Sequence, residues 1–282
     1  MIQLEHLSKR YGDFSAVEDL NLTIETGEFF GLLGPNGAGK TTTISMISSL
    51  VLPSSGRVLL DGEELTRQRP ELKRKVSVVT QEYSMRQDMN MLEIMKYQGL
   101  LYHMSGKQIR ERTEELLEFA ELIDYRYRSV RRLSGGMKRK LMVCRALLTE
   151  PDIILLDEPT AGMDALSRRQ MWSMLRRLND RKLTILLTTH YMEEAESLCS
   201  RVALLNRGRI SEVSTPQAMI HDLGDYAVDC FEDDETRSFF FPSREEAVAF
   251  LSTRSRNTTL RATTLEDVFV RRIAESRKEA KR

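Results

Sequence analysis

The 282-residue sequence has few cysteines, no net charge and no long apolar run, and each shortage excludes a class of protein. Its three cysteines are widely spaced and odd in number, which favours reduced thiols over a disulfide framework or a zinc site. Lys and Arg total 42, as do Asp and Glu, so the charge balance argues against a bulk nucleic-acid binder. No apolar run approaches the roughly 20 residues that span a bilayer, and no signal peptide opens the chain. We therefore expect a cytosolic protein whose membrane role, if it has one, comes through a partner.

One segment of the chain matches a phosphate-binding pattern. Residues 34–41 read G-x-x-x-x-G-K-T, between an apolar predicted strand at 29–33 and a predicted helix that begins near Thr42. Glycines let backbone N–H groups converge on one phosphate chain, and the helix N-terminus adds partial positive charge. We predict that Lys40 reaches the β- and γ-phosphates and that the Thr41 hydroxyl holds Mg²⁺. The predicted phosphate-binding residues are Gly34, Pro35, Asn36, Gly37, Ala38, Gly39, Lys40, Thr41 and Thr42.

Two carboxylates follow a second apolar segment. Asp157 and Glu158 come directly after residues 153–156, which read as a buried strand. In a parallel sheet, ligands bind beyond the carboxyl ends of the strands. The position predicts that Asp157 acts on Mg²⁺, directly or through water, and that Glu158 accepts a proton from the attacking water as general base. Two solvent-exposed acids at a strand end are the plainer alternative.

The segment Leu133–Met137, L-S-G-G-M, adds a family signature to these motifs. Over about its first 215 residues the chain resembles the ATP-binding subunit of ATP-binding-cassette transporters. Four further residues match the family's pattern in the correct order. They are Tyr11, matching the aromatic residue that stacks on adenine; Gln81, the glutamine between the two subdomains; Asp164, in the dimer-facing loop; and His190, the switch histidine. For Tyr11, simple packing of an aromatic residue between two strands stays an alternative.

The resemblance implies an α/β fold, and we divide the chain into three regions. The ATP-binding core, residues 1–86 and 150–214, is a P-loop NTPase domain with a parallel sheet and an N-terminal antiparallel β-subdomain. A helical signature subdomain is inserted at 87–149. A small C-terminal α/β appendage occupies 215–282, where the composition shifts and a charge-rich helical tail ends the chain.

The resemblance also implies the chemistry. The cofactors are ATP and Mg²⁺; Glu158, His190 and Gln81 are the expected catalytic residues, and Thr41, Gln81 and Asp157 the expected metal ligands. The signature residues Ser134, Gly135 and Gly136 are expected to face the γ-phosphate bound by the opposite subunit, so that two chains sandwich two ATP molecules head to tail. The chain departs from the family pattern at Met137, where many members have glutamine, and at Gly162, which makes the loop after Glu158 more pliable. Both departures bear on communication between subunits rather than on hydrolysis.

The C-terminal segment Thr263–Phe269 resembles the T-L-E-D-V-F stretch that closes many drug, polysaccharide and antibiotic exporter ATPases. The resemblance therefore implies an ATPase on the cytoplasmic face of the membrane that powers a separate membrane-spanning permease and binds no nucleic acid. A soluble cassette ATPase acting on ribosomes or DNA is the runner-up, but such proteins usually carry two cassettes or a coiled-coil insertion. A non-hydrolysing regulator is the third class, and the presence of Glu158 and His190 argues against it.

Three local patterns bear on which apolar residues lie in the core and which lie on the surface. Ile94, Tyr97, Leu101 and Met104 recur at helical spacing and predict one apolar helix face, as do Ile109, Thr113, Leu116 and Ala120. Met85 and Met89 either line the groove that receives a helix of the membrane subunit, because methionine suits surfaces that repack, or fill the core of the helical subdomain. Residues 239–241, three phenylalanines, read as a buried strand in preference to a membrane-touching patch.

Overall fold

The computed structural model describes residues 1–232, 235–254 and 258–279. The strands are β1 (Ile2–Tyr11), β2 (Phe14–Ile24), β3 (Phe29–Leu33), β4 (Ser55–Leu60), β5 (Glu63–Glu64), β6 (Val76–Val79), β7 (Ile153–Asp157), β8 (Thr184–Thr189), β9 (Arg201–Asn206), β10 (Arg209–Ser214), β11 (Tyr226–Glu232), β12 (Glu235–Phe241) and β13 (Thr258–Ala262). The helices are α1 (Lys40–Ile47), α2 (Pro70–Arg74), α3 (Met91–Leu101), α4 (Gly106–Phe119), α5 (Gly135–Leu147), α6 (Ala165–Asp180), α7 (Met192–Leu198), α8 (Pro216–Leu223), α9 (Arg244–Ser252) and α10 (Leu265–Glu279).

A six-stranded sheet of order β10-β9-β3-β8-β7-β6 forms the centre of the fold. Its strands β9, β3, β8, β7 and β6 run parallel, and β10 joins the edge as the antiparallel arm of a hairpin. Strands β3, β7 and β8 are buried along their whole length, which is why they are continuous apolar runs rather than alternating ones. The predicted parallel sheet is confirmed, and the carboxyl ends of β3, β7 and β8 meet at one edge.

The predicted N-terminal antiparallel β-subdomain is also present, as a sheet of order β2-β1-β4-β5. Its apolar residues pack with helix α1 against one face of the central sheet, which contributes Phe30, Leu32, Leu155 and Leu186. The opposite face of the central sheet packs against the helices of the predicted signature subdomain. Two hydrophobic clusters therefore hold the central sheet from both sides and fix its ligand-binding edge.

The helical region consists of three helices, each begun by a side-chain cap. Asn90 and Ser105 form capping boxes at α3 and α4, and Ser134 caps α5. The predicted apolar face of α4 is confirmed, since Ile109, Thr113, Leu116 and Ala120 are buried.

The predicted face of α3 is confirmed for Ile94 and wrong for Tyr97 and Leu101. Tyr97 and Leu101 are 55% and 57% exposed, and the buried face is formed by Met91, Ile94 and Met95. The physical reason is that α3 packs against α4 through the side that carries Gly99, where a Cβ would lie 2.5 Å from Ile109, and Tyr97 and Leu101 lie on another side. Met104 lies beyond the end of α3. An exposed apolar surface on α3 is the consequence.

The methionines after Gln81 belong mainly to the core. Met85 is only 7% exposed and lies in the hydrophobic cluster with Val79, Leu133 and Met142, so the groove interpretation is wrong for Met85. Met89 is half-buried and packs against the same cluster. This cluster needs apolar side chains at the point where α5 passes the end of β6.

The C-terminal region forms a sheet of order β12-β11-β13 covered by α9. The predicted strand at 239–241 is present, but its phenylalanines are half-buried rather than buried: Phe239 and Phe241 pack on Phe250 of α9, with ring centroids 4.9 and 5.0 Å apart. Helix α10 returns to the ATPase core, where Leu265 and Val268 are buried in the large cluster. The T-L-E-D-V-F segment thus anchors this region to the core, and residues 280–282 of the predicted tail lie outside the described residues.

All three cysteines are unpaired and buried, as the sequence predicted for reduced thiols. Burial raises the pKa of the Cys144 thiol to about 12 and that of Cys199 well above its ordinary value. Across the described ranges, none of the helices combines the length and the apolar character that crossing a membrane requires.

Candidate active site

The phosphate loop joins the end of β3 to the start of α1, as predicted. Two glycines are fixed there by close backbone contacts: a Cβ on Gly34 would lie 2.3 Å from the carbonyl oxygen of Leu205, and one on Gly39 would lie 2.5 Å from that of Ala16. Gly39 also has φ +109°, which L side chains rarely adopt. Helix α1 begins without a side-chain cap, so the N–H groups of its first turn stay available to an anion. The loop therefore fits a triphosphate.

Lys40 is the cation of this loop. Its side chain is 6% exposed, and Nζ donates hydrogen bonds to the carbonyl oxygens of Gly34 (2.7 Å) and Pro35 (3.1 Å). Nζ also lies 3.8 Å from Oε1 of Glu158. Burial lowers the pKa of Lys40, and the carboxylates of Glu158 and Asp157 oppose that shift. The ammonium group is thus held between the loop and the two acids that end β7.

Three side chains from different parts of the chain converge on Glu158. Nδ1 of His190 lies 3.2 Å from Oε2 of Glu158, and Nε2 of Gln81 donates to the same oxygen across 3.5 Å. Lys40 approaches the other carboxylate oxygen. Glu158 itself has φ +48°, a conformation that is uncommon outside glycine, and its N–H donates to the carbonyl oxygen of Thr188. The strained backbone turns this carboxylate out of the sheet and toward the phosphate loop.

Asp157 lies beside Glu158 but faces the sheet. It is 4% exposed, and Oδ1 accepts a 2.5 Å hydrogen bond from the hydroxyl of Thr188 on β8. No group of three or more His, Cys, Asp or Glu residues suited to holding a metal occurs within the described ranges. Mg²⁺ bound to a nucleotide needs no such cage, because one or two carboxylates and the phosphates suffice. The oxygen atoms of Asp157, Thr41 and Gln81 are the kind of ligand that Mg²⁺ takes.

A cavity of about 530 Å³ opens over the phosphate loop and gathers most of the predicted site. Its lining residues are Phe14, Ala16, Asn36, Gly37, Ala38, Gly39, Lys40, Thr41, Thr42, Gln81, Glu158, Ala161 and His190. Tyr11 does not line it, whereas Phe14, its register partner across the β1–β2 turn, does. Phe14 is 63% exposed, and its place directly after the two-residue turn that follows Tyr11 was the signal that sequence reasoning missed.

A family model described as ABC transporter matches residues 17–161 of this chain. A Nod factor export ATP-binding protein I from Cupriavidus metallidurans is 42% identical over 230 residues, which are 82% of this chain and 75% of that protein. The chain belongs to the ABC transporter family. It is an ATP-hydrolysing cassette subunit that energises transport.

Further relatives agree with this assignment. The linearmycin resistance ATP-binding protein LnrL of Bacillus subtilis is 35% identical over 224 residues, 79% of this chain and 72% of that protein. Among solved structures, a dimeric ATP-binding cassette in a post-hydrolysis state with ADP and phosphate shares 29% identity and a TM-score of 0.69, covering 76% of this chain and 98% of that one. These relatives do not favour a cassette ATPase that acts on ribosomes or DNA.

The signature of this cassette ATPase lies outside the cavity. Ser134 caps helix α5 by accepting a hydrogen bond from the N–H of Met137 at 3.2 Å, as its predicted capping role requires. Ser134 and Gly135 are exposed to solvent, and Gly136 is half-buried. The same chain therefore does not bring its signature into its own phosphate-loop cavity.

The buried carboxylate of Glu194, which sequence reasoning missed, links the loop after Glu158 to helix α7. Oε1 of Glu194, on α7, accepts hydrogen bonds from the hydroxyl of Thr160 (2.9 Å) and from the indole N–H of Trp172 (3.0 Å). Thr160 belongs to the loop after Glu158, and α7 follows His190. Burial raises the pKa of Glu194, and hydrogen bonds from Thr189, Thr160 and Trp172 oppose that shift. Nothing in the sequence distinguished Glu194 from the exposed Glu193 beside it.

Proposed function

We propose that this cassette ATPase hydrolyses ATP with Mg²⁺ at the cavity over residues 34–42, as a head-to-tail dimer, and powers export through a separate membrane-spanning permease. The convergence of Lys40, Gln81 and His190 on the Glu158 carboxylate is the observation that carries the proposal. A charged carboxylate is placed there next to a cation and an imidazole, at the edge of the sheet where ligands bind.

Each side chain has a defined part in this proposal. Glu158 accepts a proton from the attacking water, and His190 and Gln81 orient the water and the carboxylate. Lys40 neutralises the phosphate chain, and the N–H groups at the start of α1 donate hydrogen bonds to its oxygens. Mg²⁺ held by Thr41, Asp157 and Gln81 would supply further charge neutralisation at the phosphates. Phe14 lines the cavity and Tyr11 is its register partner across the β1–β2 turn; Tyr11 remains our proposed adenine-stacking residue.

The dimer is proposed because one chain supplies only part of the site. Ser134, Gly135 and Gly136 lie outside the cavity, and Ser134 and Gly135, at the start of α5, are exposed to solvent. A helix N-terminus of this kind suits a phosphate bound by a second copy. The dimeric assembly of a related cassette supports this arrangement.

The permease contact is proposed for the exposed face of α3. Tyr97, Leu100 and Leu101 are 55%, 56% and 57% exposed, and this helix follows the segment that carries Gln81. Apolar side chains clustered on a surface suit a partner's apolar face. Export, and a place at the cytoplasmic face of the membrane, are proposed because relatives are named for Nod factor export and linearmycin resistance.

Three measurements test the proposal: ATP hydrolysis, nucleotide binding and co-purification with a membrane polypeptide. ATP hydrolysis by the purified protein should require Mg²⁺ and stop in EDTA. In calorimetry, Lys40→Ala should no longer bind ATP, whereas Lys107→Ala, at an exposed lysine on α4, should keep its ATP affinity. Co-purification from membranes should recover a polypeptide with several spans. The double variant Leu100→Glu/Leu101→Glu should lose that polypeptide, and Val248→Glu on α9, 44% exposed, should retain it. Unchanged ATP affinity in Lys40→Ala, or unchanged co-purification in the α3 variant, would overturn the corresponding part.

A further inference from the structure

A buried arginine connects the signature helix to the segment that carries Gln81. Arg139, on α5, is 2% exposed. Its Nη1 atom donates to the carbonyl oxygen of Thr80 at 2.6 Å, and Nη2 donates to that of Gln81 at 2.8 Å. In the part of the chain that the structure describes, these two carbonyl oxygens accept no other hydrogen bond. The backbone that presents Gln81 is therefore held by one side chain of the signature helix.

The buried position of the Arg139 guanidinium group is energetically unfavourable. It makes no ion pair with a carboxylate among the described residues, and its Nε atom is buried without a hydrogen-bond partner. Burying a charge in this way is unfavourable, and an apolar side chain of similar size is often as stable or more so. Since Gln81 is exposed, water can replace the lost donor at its carbonyl. Leucine or methionine at this position would remove the buried charge but leave the carbonyl oxygen of Thr80 without this donor.

Tyr83 adds a second link between the same two elements. Its ring lies 5.3 Å from the Arg139 guanidinium carbon, centroid to Cζ, and its hydroxyl donates to the carbonyl oxygen of Gly135 at 3.3 Å. Gly135 is the first residue of α5, directly after Ser134. The start of the signature helix and the Gln81 segment are thus joined at two points.

We propose that Arg139 is a positioning residue for hydrolysis. It holds the Thr80–Gln81 backbone to α5, so that the Gln81 amide stays within reach of Glu158 and any displacement of the signature helix moves that amide. Arg139 touches neither Glu158 nor the phosphate loop and acts only through Gln81. This inference rests on the site roles proposed above for Gln81 and Glu158.

The test compares Arg139→Met with a matched variant on the same helix. Arg145 makes an equivalent bidentate contact, donating to the carbonyl oxygen and the hydroxyl of Ser84 at 2.7 and 2.8 Å, but three residues beyond Gln81. With ATP and Mg²⁺, Arg139→Met should lower kcat on the order of tenfold or more, because small displacements of a positioned group are costly. KM for ATP should stay within about threefold, since the phosphate loop is untouched. Arg145→Met should leave kcat near the wild-type value.

A double-mutant cycle separates positioning from a general loss of structure. If Arg139 acts through Gln81, the double variant Arg139→Met/Gln81→Ala should turn over no more slowly than Gln81→Ala alone. Arg139→Lys should recover part of kcat, because one ammonium group can donate to one carbonyl at a time. If Arg139→Met does not fold, as judged by its melting temperature, the same cycle with Arg139→Lys decides.

Three results would overturn the inference: unchanged kcat in Arg139→Met, an equal loss in Arg145→Met, or losses that multiply in the double variant. Turnover by the wild-type protein distinguishes failure of the inference on Arg139 from failure of the proposed site. Wild-type turnover combined with any of these results counts only against Arg139. An unaltered rate in Gln81→Ala and Glu158→Gln would count against the site itself.

Discussion

Trp172 donates its indole N–H to the carboxylate of Glu194 across 3.0 Å, and this oxygen also receives the hydroxyl of Thr160. Glu194 is fully buried. One carboxylate thus connects α6, α7 and the loop that follows Glu158. Because Trp172 is the only tryptophan of the chain, its fluorescence reports on this connection.

We predict that Glu194→Gln changes how stability depends on pH. Burial raises the pKa of Glu194 above its ordinary value of 4.5, so the folded state binds more protons than the unfolded state once the pH exceeds that value. Wild-type stability should therefore fall as pH rises through the folded pKa, and the glutamine variant lacks this loss. Trp172 fluorescence gives the melting temperature of the variant and of the wild type. The difference, variant minus wild type, should be larger at pH 8 than at pH 5, by about 2–4 °C for each kcal/mol of stability. Glu193→Gln, at an exposed neighbouring position, should show no such trend; a pH-independent difference for Glu194→Gln would contradict the prediction.

We predict that Glu158→Gln binds ATP but loses turnover by about 10²–10⁴-fold, the usual contribution of a general base. The amide keeps the shape of the side chain, so nucleotide and signature still meet. The variant should elute as a dimer in gel filtration with ATP and as a monomer with ADP. Glu118→Gln, an exposed position on α4, is the control and should hydrolyse ATP normally. Turnover near the wild-type rate in Glu158→Gln would rule out the role of this acid.

We predict that Ser134→Arg separates nucleotide binding from assembly. The substitution places a bulky cation at the start of α5 but leaves the phosphate loop intact, so calorimetry should give an unchanged ATP affinity. ATP-dependent dimerisation and turnover should both be lost. Ser105→Arg is a matched control, because Ser105 caps α4 in the same manner and its loss costs about 1 kcal/mol in stability without touching the interface. Normal hydrolysis by Ser134→Arg would mean that the site does not form between chains.

We predict that Met85→Glu destabilises the isolated subunit sharply. Met85 is buried in the large hydrophobic cluster, and an unpaired charge there costs several kcal/mol. Leu100→Glu, on the exposed face of α3, should leave the melting temperature within about 2 °C of wild type, since surface substitutions usually cost little. Thermal unfolding of the two variants measures both effects. A small change for Met85→Glu would show that this side chain is not part of the core.

The sequence predicted those parts of the site that are continuous in the chain. The phosphate loop and the Asp157–Glu158 pair each lie between an apolar strand and a defined turn, so their residues carry their own structural context. Glu194 and Arg139 could not be predicted, because their partners lie far away in sequence: Trp172 is 22 residues from Glu194, and Thr80 is 59 residues from Arg139. Burial of a charged side chain depends on such distant contacts and leaves no periodic signal.

The exposed face of α3 shows a different limit. Ile94, Tyr97, Leu101 and Met104 have the correct helical spacing, but spacing alone does not tell where a helix ends or which of its apolar residues meets the core. Only packing selects Met91, Ile94 and Met95 for the interior. Tyr11 and Phe14 are a comparable case, since a turn of a few residues decides which aromatic ring lines the cavity.

The native protein should react little with thiol reagents, because Cys144, Cys199 and Cys230 are all buried. Reagents that modify thiols react slowly with buried side chains, so the folded protein should take up little label. A single exposed cysteine introduced on α4 by Lys107→Cys or Glu118→Cys would then carry a fluorophore or spin label without removal of any natural cysteine. Distances measured between two labelled copies would follow opening and closing of the assembly through a full cycle of nucleotide turnover.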